Sequence, residues 1–247
     1  MVIRALLILI VGLSLPAASL AAGELGQVER RVAETLSTLN PELSVDAVNP
    51  TPIAGLYEVL VGGQVLYFSA DGRYLLQGDL VDLREQRSLT EARRQQQRLA
   101  QLAQVPAAEY ITYPARGDKR HSVVIVTDID CPYCQRMHRH MAELNERGVE
   151  VRYLQMPRAG VNSPSYGKAV AVYCADNQLE AMDRAKAGES VPQRQCDHPV
   201  REHLQLVRQL GINATPTVVF ENGAVHPGYL NTADLLARIA QEQSTAD

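Results

Sequence analysis

The sequence predicts a two-part protein that mixes α+β and α/β architecture. Three observations lead there. Glycine turns separate short strand-like runs before residue 84, as in an antiparallel meander. A polar helical stretch follows over Thr90 to Gln104. From Tyr110 onward, buried-type strand and helix patterns alternate, as in a layered α/β domain.

Composition permits this much structure. Of 247 residues, 46% are hydrophobic and 21% charged, which excludes disorder over most of the length. The net charge of −4 argues against a nucleic-acid binder, which normally presents a basic face. Four cysteines are too few for a small disulfide scaffold.

Residues 1–22 read as a secretory signal. Arg4 supplies the positive start, and the apolar run Ala5 to Leu15 is shorter than the ~20 residues a bilayer requires. Pro16 breaks the run, and Ser19-Leu20-Ala21 offers small residues for cleavage after Ala21 or Ala22. The competing reading is an N-terminal membrane anchor. Export would place the mature chain where disulfides persist.

Leu25, Val28, Val32, Leu36 and Leu39 recur at helical spacing, and Asn40-Pro41 stops that helix. Gly62-Gly63 joins the strand-like runs Leu56–Val61 and Gln64–Ser69 as a hairpin. Asp71-Gly72 makes a second turn, and Arg73 to Gln77 leads on toward Leu80–Leu83. Such a small meander has a thin core and an open edge that gains from pairing. Thr90 is expected to cap the helix ending before Val105-Pro106, where the domain boundary is placed.

In the second part, His121–Thr127 is a buried strand and Val149–Leu154 another. Helix is expected from about Pro132 to Glu146, Tyr166 to Ala187 and Pro199 to Leu210. Thr217 to His226 reads as a closing hairpin, and Thr232 is expected to cap a last helix through about Gln241.

The chemistry sits in the cysteines. Cys131-Pro132-Tyr133-Cys134 follows the buried strand and opens a helix, a context that makes the motif specific. Unpaired N–H groups at a helix start favour a thiolate at Cys131. An ordinary thiol is only a few per cent ionised at neutrality, so a lowered pKa supplies the nucleophile. Pro132 suits the first helical turn, and Cys134 lies within reach to resolve a mixed disulfide. Asp130 opposes the thiolate, and the helix end is expected to win. The rival readings are a permanent Cys131–Cys134 bridge and a zinc site using Cys131, Cys134, His138 and His140. No metal and no cofactor is expected.

Four cysteines allow three pairings. If Cys131 pairs with Cys134, Cys174 and Cys196 are left to close a loop of about 22 residues, worth roughly 3 kcal/mol. That pair reads either as a staple on inserted helices or as a second redox relay. Pro216 stands at a strand entry where no ladder N–H is needed, with the cis or trans isomer open.

Together, Thr127 to Cys134, the Cys174/Cys196 pair and Ala214 to Val219 resemble the DsbC/DsbG family of periplasmic disulfide isomerases. Ile53–Leu56, Val65–Phe68, Asp71-Gly72, Leu75–Gly78, Val151–Leu154, Met156–Arg158 and Pro227–Tyr229 extend the likeness over about Glu24 to Ala240. The resemblance implies a cystatin-like dimerisation domain over residues 23–84, a linker helix over 85–106 and a thioredoxin-fold domain with a helical insertion over 107–247. It implies a homodimer paired through the N-terminal sheets, acting on misoxidised periplasmic proteins and re-reduced by the membrane reductase DsbD. Cys131 would be the nucleophile and Cys134 the resolving thiol. Pro216 would be a cis-proline facing them, Thr215 would offer backbone contacts to substrate, and Cys174–Cys196 would be a structural disulfide. Pro132 follows the DsbG branch, where the DsbC branch carries Gly, whereas the second cysteine pair follows DsbC. The alternatives are a DsbG-like reductase of sulfenylated cysteines with holdase activity, a holdase in which redox is secondary, and a dithiol oxidase.

Overall fold

A computed structural model of the chain describes residues 17–244. The signal segment expected over residues 1–22 therefore lies largely outside the described residues. Among those described, no helix is long and apolar enough to cross a membrane. The described residues divide into two compact units, residues 17–62 with 66–77 and residues 63–65 with 78–244.

The first unit packs one helix on a four-stranded sheet. Helix α1 spans Ala17–Leu39, and the strands are β1 (Val45–Pro50), β2 (Leu56–Val61), β3 (Gln64–Ser69) and β4 (Leu75–Leu76), in the order β1-β2-β3-β4. The helical stripe Val28, Val32 and Leu36 is buried against Tyr57, Val59, Val61 and Phe68. Strand β1 was not expected from sequence. It carries Asp46, Asn49 and Pro50, all poor strand formers, and its pairing with β2 shifts register between Val45 and Ala47. An edge position tolerates both. At the opposite edge, Tyr74, Leu75 and Leu76 are exposed.

The second unit opens with a ribbon, β5 (Val81–Asp82) and β6 (Arg87–Ser88), and helix α2 (Leu89–Leu102). The cap of α2 corrects the sequence reading. Ser88, not Thr90, caps it, accepting from the Glu91 N–H at 3.0 Å. Thr90 is buried, and its hydroxyl accepts from the Leu80 N–H at 2.7 Å. Buried Arg98 ties α2 to this unit, donating to the carbonyls of Leu210 (3.3 Å) and Gly223 (3.1 Å). Gly223 must be glycine there: at φ +82° its missing Cβ would stand 2.4 Å from the Gln95 carbonyl.

The main sheet runs β11-β10-β8-β9-β7, with β7 at Ile111–Tyr113, β8 at His121–Thr127, β9 at Val149–Gln155, β10 at Thr217–Val219 and β11 at Val225–Pro227. In this sheet β8 and β9 pair in parallel, and the β10–β11, β10–β8 and β7–β9 pairs are antiparallel. β7 has three residues, too few to show a period of two. Helices α3 (Pro132–His138), α4 (Met141–Glu146), α5 (Pro164–Tyr173), α6 (Gln178–Lys186), α7 (Val200–Gln209) and α8 (Thr232–Ser244) cover the sheet.

Two expected long helices are each broken. The helix expected over 132–146 divides at Arg139-His140, where the His140 N–H bonds back to Met137 O at 3.1 Å. The imidazoles at the break take separate partners: His138 lies between Tyr153 and Asp183, and His140 meets the Tyr229 hydroxyl. The helix expected over 166–187 divides after Cys174, and Asn177 caps its second half by accepting from the Glu180 N–H. At α8 the capping oxygen comes from Asn231, while Thr232 donates to Glu143.

Candidate active site

Strand β8 delivers the chain to the site. Its last five residues, Val123 to Thr127, are buried, which anchors the turn that follows. Asp128 is buried and organises that turn: one carboxylate oxygen accepts from the Asp130 N–H at 3.0 Å, the other from the Arg158 N–H at 2.9 Å. The Cys131 N–H then reaches Asp128 O at 3.2 Å. Cys131 stands just before α3 in extended conformation (φ −77°, ψ 119°), with Pro132 opening the helix. Pro132 lacks the N–H that the first turn would leave unpaired.

Both Cys131 and Cys134 are free thiols. Cys131 is 1% exposed and Cys134 2%, whereas Tyr133 between them is 61% exposed. The Thr215–Pro216 peptide is cis, and the Cys131 thiol reaches the Thr215 carbonyl at 3.4 Å. Pro216 O accepts from the Gly228 N–H at 2.7 Å, which fixes the proline loop against β11. The structure thus brings Cys131, Pro132, Tyr133, Cys134, Thr215 and Pro216 into one place. Cys174 and Cys196 are bonded to each other, with Cα atoms 5.6 Å apart.

The two thiols are tuned in opposite directions. For Cys131, burial opposes ionisation, but hydrogen bonds outweigh it, the Cys134 N–H first, with the Cys134 thiol and the Tyr133 N–H behind it. Its pKa is lowered. For Cys134, burial prevails and raises the pKa, against the pull of the Lys186 charge, the Thr127 hydroxyl and the Asp128 N–H. One sulfur is therefore prepared to attack and the other to wait as a thiol. Asp130, which from the sequence threatened the thiolate, is held by Lys168 at 2.6 Å.

Sequence reasoning missed Lys186. It is 4% exposed, at the end of α6, and its ammonium donates to Thr127 Oγ1 at 2.7 Å and to Asp128 O at 2.9 Å. A signal was present: Ala181, Met182 and Ala185 form the buried face of α6, and Lys186 falls four residues after Met182.

Residues 108–243 match the model of the thioredoxin-like domain. Residues 16–91 match that of the disulfide bond isomerase protein N-terminal domain. The thiol:disulfide interchange protein DsbC of Escherichia coli (strain K12) is 36% identical over 182 residues, covering 74% of this chain and 75% of that protein. The chain belongs to the DsbC family. DsbC of Dickeya dadantii is 32% identical over 209 residues, covering 84% and 85%. The crystal structure of a disulfide interchange protein from Neisseria gonorrhoeae superposes with a TM-score of 0.50 and 30% identity, covering 56% of this chain and 99% of that one. These DsbC relatives favour the disulfide-interchange reading over the DsbG-like reduction of sulfenylated cysteines.

Proposed function

We propose that this member of the DsbC family is a periplasmic thiol–disulfide isomerase in which Cys131 is the nucleophile and Cys134 the resolving thiol. The observation that carries the reading is the placement of a free thiol with lowered pKa at the start of α3, 3.4 Å from the carbonyl that precedes Pro216. Cys131 thiolate attacks one sulfur of a non-native disulfide, forming a mixed disulfide and releasing the other sulfur as thiolate. A second thiol of the substrate then displaces Cys131, and the substrate disulfide has moved. A low thiol pKa also makes Cys131 the better leaving group in that second step. When no substrate thiol arrives, Cys134 attacks Cys131, the substrate leaves reduced and a Cys131–Cys134 disulfide remains for an electron donor to reopen.

Because Cys131 is nearly covered, an incoming disulfide has to meet the proline loop to reach it. Thr215 is then placed for backbone contact with substrate, with Pro132, Tyr133 and Pro216 shaping the approach. Cys174–Cys196 acts as a structural bridge. Residues 1–22 are the export signal and residues 23–84 the dimerisation domain; 85–106 form the linker helix and 107–247 the catalytic domain. The exposed edge at Tyr74, Leu75 and Leu76 supports pairing of two N-terminal sheets into a homodimer. The clients are misoxidised exported proteins, and the donor is the membrane reductase DsbD.

Recovery of activity from a scrambled multi-disulfide enzyme tests the reading. Cys131→Ser abolishes recovery. Cys134→Ser keeps part of it and accumulates a mixed disulfide on Cys131. Full recovery by Cys131→Ser would refute the assignment.

A further inference from the structure

Lys186 has no part in the steps above, yet it is a buried ammonium, which a protein interior rarely accommodates without partners. Its partners are informative. Thr127 Oγ1 and Asp128 O accept from it at 2.7 and 2.9 Å, and the face of Tyr153 lies 5.9 Å away. The Thr127 hydroxyl is also a hydrogen-bond partner of the Cys134 sulfur. A buried thiol and a buried amine therefore share one hydroxyl.

We propose that Lys186, acting through the Thr127 hydroxyl, takes the proton that Cys134 gives up when it resolves the mixed disulfide, and returns it when the Cys131–Cys134 disulfide is reopened. This rests on the assignment of Cys131 and Cys134 made above. Lys186 touches no reacting sulfur in this account and is a positioning residue.

The step balances. In the mixed disulfide, the Cys134 S–H passes its proton to Thr127 Oγ1 while the Thr127 O–H passes its own to neutral Lys186 Nζ. The Cys134 thiolate attacks Cys131 Sγ. The Cys131–Cys134 bond forms, the Cys131–substrate bond breaks, and the substrate departs as thiolate with two electrons. The new ammonium balances the departing charge. On reopening, an incoming dithiol donor supplies the electrons and the ammonium protonates Cys134.

The surroundings favour this route. Burial raises the Cys134 pKa, so a base is needed at neutral pH. Burial also lowers Lys186 to about 8, against the nearby Cys134, Asp128, Cys131 and Asp130, so roughly a tenth is neutral at pH 7. The other titratable groups facing it are engaged. Asp128 accepts from Asp130 and Arg158, and Asp130 is paired with Lys168. Asp183, one turn earlier on α6, accepts from Tyr113 and bonds His138, whose own pKa burial depresses. A cleft of about 510 Å³ counts Gln135, His138, Asp183 and Lys186 among its lining residues.

The experiment uses the reduced full chain and the symmetrical disulfide of a labelled single-cysteine peptide. Quenched-flow separates formation of the Cys131–peptide adduct from release of the second peptide, between pH 5.5 and 9.5. In the wild type, release rises with pH and levels near pH 8. In Lys186→Met and in Thr127→Val, release falls at least tenfold at pH 7 and keeps rising to pH 9, while adduct formation changes less than threefold. Lys186→Arg keeps the charge but cannot take a proton, so release stays slow. Release within threefold of wild type with an unchanged pH profile in both Lys186→Met and Thr127→Val overturns the proposal, as does full rescue by Lys186→Arg. If Lys186→Met fails to fold, Thr127→Val decides. Absence of any adduct in the wild type and in Cys134→Ser would instead remove the Cys131 assignment and the proposal with it.

Discussion

Replacing both Cys174 and Cys196 by alanine lowers stability by about 3 kcal/mol. The bridge joins residues 22 apart in sequence. Closing a loop of that length in the unfolded chain removes about 11 cal/mol/K, or about 3.4 kcal/mol at 25 °C. One end caps α5, directly after buried Val172 and Tyr173; the other lies in residues 189–198, which contain no helix or strand. The segment is also held by the Arg194–Asp176 pair at 2.6 Å and by Arg184 donating to Ser190 O at 3.1 Å, so the bridge adds its loop entropy to these local ties. With a urea slope of about 2 kcal/mol/M, the unfolding midpoint falls by about 1.7 M. The assay is urea unfolding followed by circular dichroism, with Cys131 and Cys134 blocked in both proteins. A midpoint shift below about 0.3 M would refute the loop-entropy reasoning. The same variant, assayed with its active-site thiols free, separates staple from relay: isomerisation stays within twofold where both proteins are folded. Lost isomerisation with unchanged stability would make the pair a relay.

Acid should weaken the fold through His203. Its imidazole is 1% exposed, burial holds its pKa down to about 4, and Nδ1 accepts from the Gln155 N–H at 3.3 Å. Between pH 6.5 and 4 the unfolded chain binds a proton that the folded chain refuses, so stability falls as pH falls, by about 3 kcal/mol across the window. His203→Gln should flatten that dependence in urea titrations at pH 7 and 4.5; an equal fall in wild type and variant contradicts it. Gly223→Ala places a methyl 2.4 Å from Gln95 O on α2 and should cost about 2–3 kcal/mol in thermal unfolding. Arg98→Met leaves the Leu210 and Gly223 carbonyls and Glu91 without their cation, and should cost about 2 kcal/mol, measured in the same way.

Local chemistry made much of this protein legible from the chain alone. Glycine turns, the helical stripe Val28-Val32-Leu36 and the apolar run of β8 each report on their own neighbourhood, so the elements they mark were readable. Cys131-Pro132-Tyr133-Cys134 was readable for the same reason: strand, motif and helix are contiguous. Caps were misplaced by one or two residues because Ser88, Thr90, Asn231 and Thr232 all carry suitable oxygens. Which oxygen bonds an N–H depends on what else competes for it; Leu80 claims Thr90 and Glu143 claims Thr232. The two helix breaks lie beside His138, His140 and Cys174, whose partners are distant in sequence and so not legible locally.

Only the folded chain could decide how the thiols are tuned. Cys131 and Thr215 are 84 residues apart, and Lys186 and Thr127 are 59 apart. A pKa reports burial and close neighbours, and such pairs meet only when β8, α6 and the proline loop are packed together. Sequence determined which residues carry sulfur chemistry. Tertiary packing decided which sulfur is lowered, which is raised, and which buried amine stands behind it.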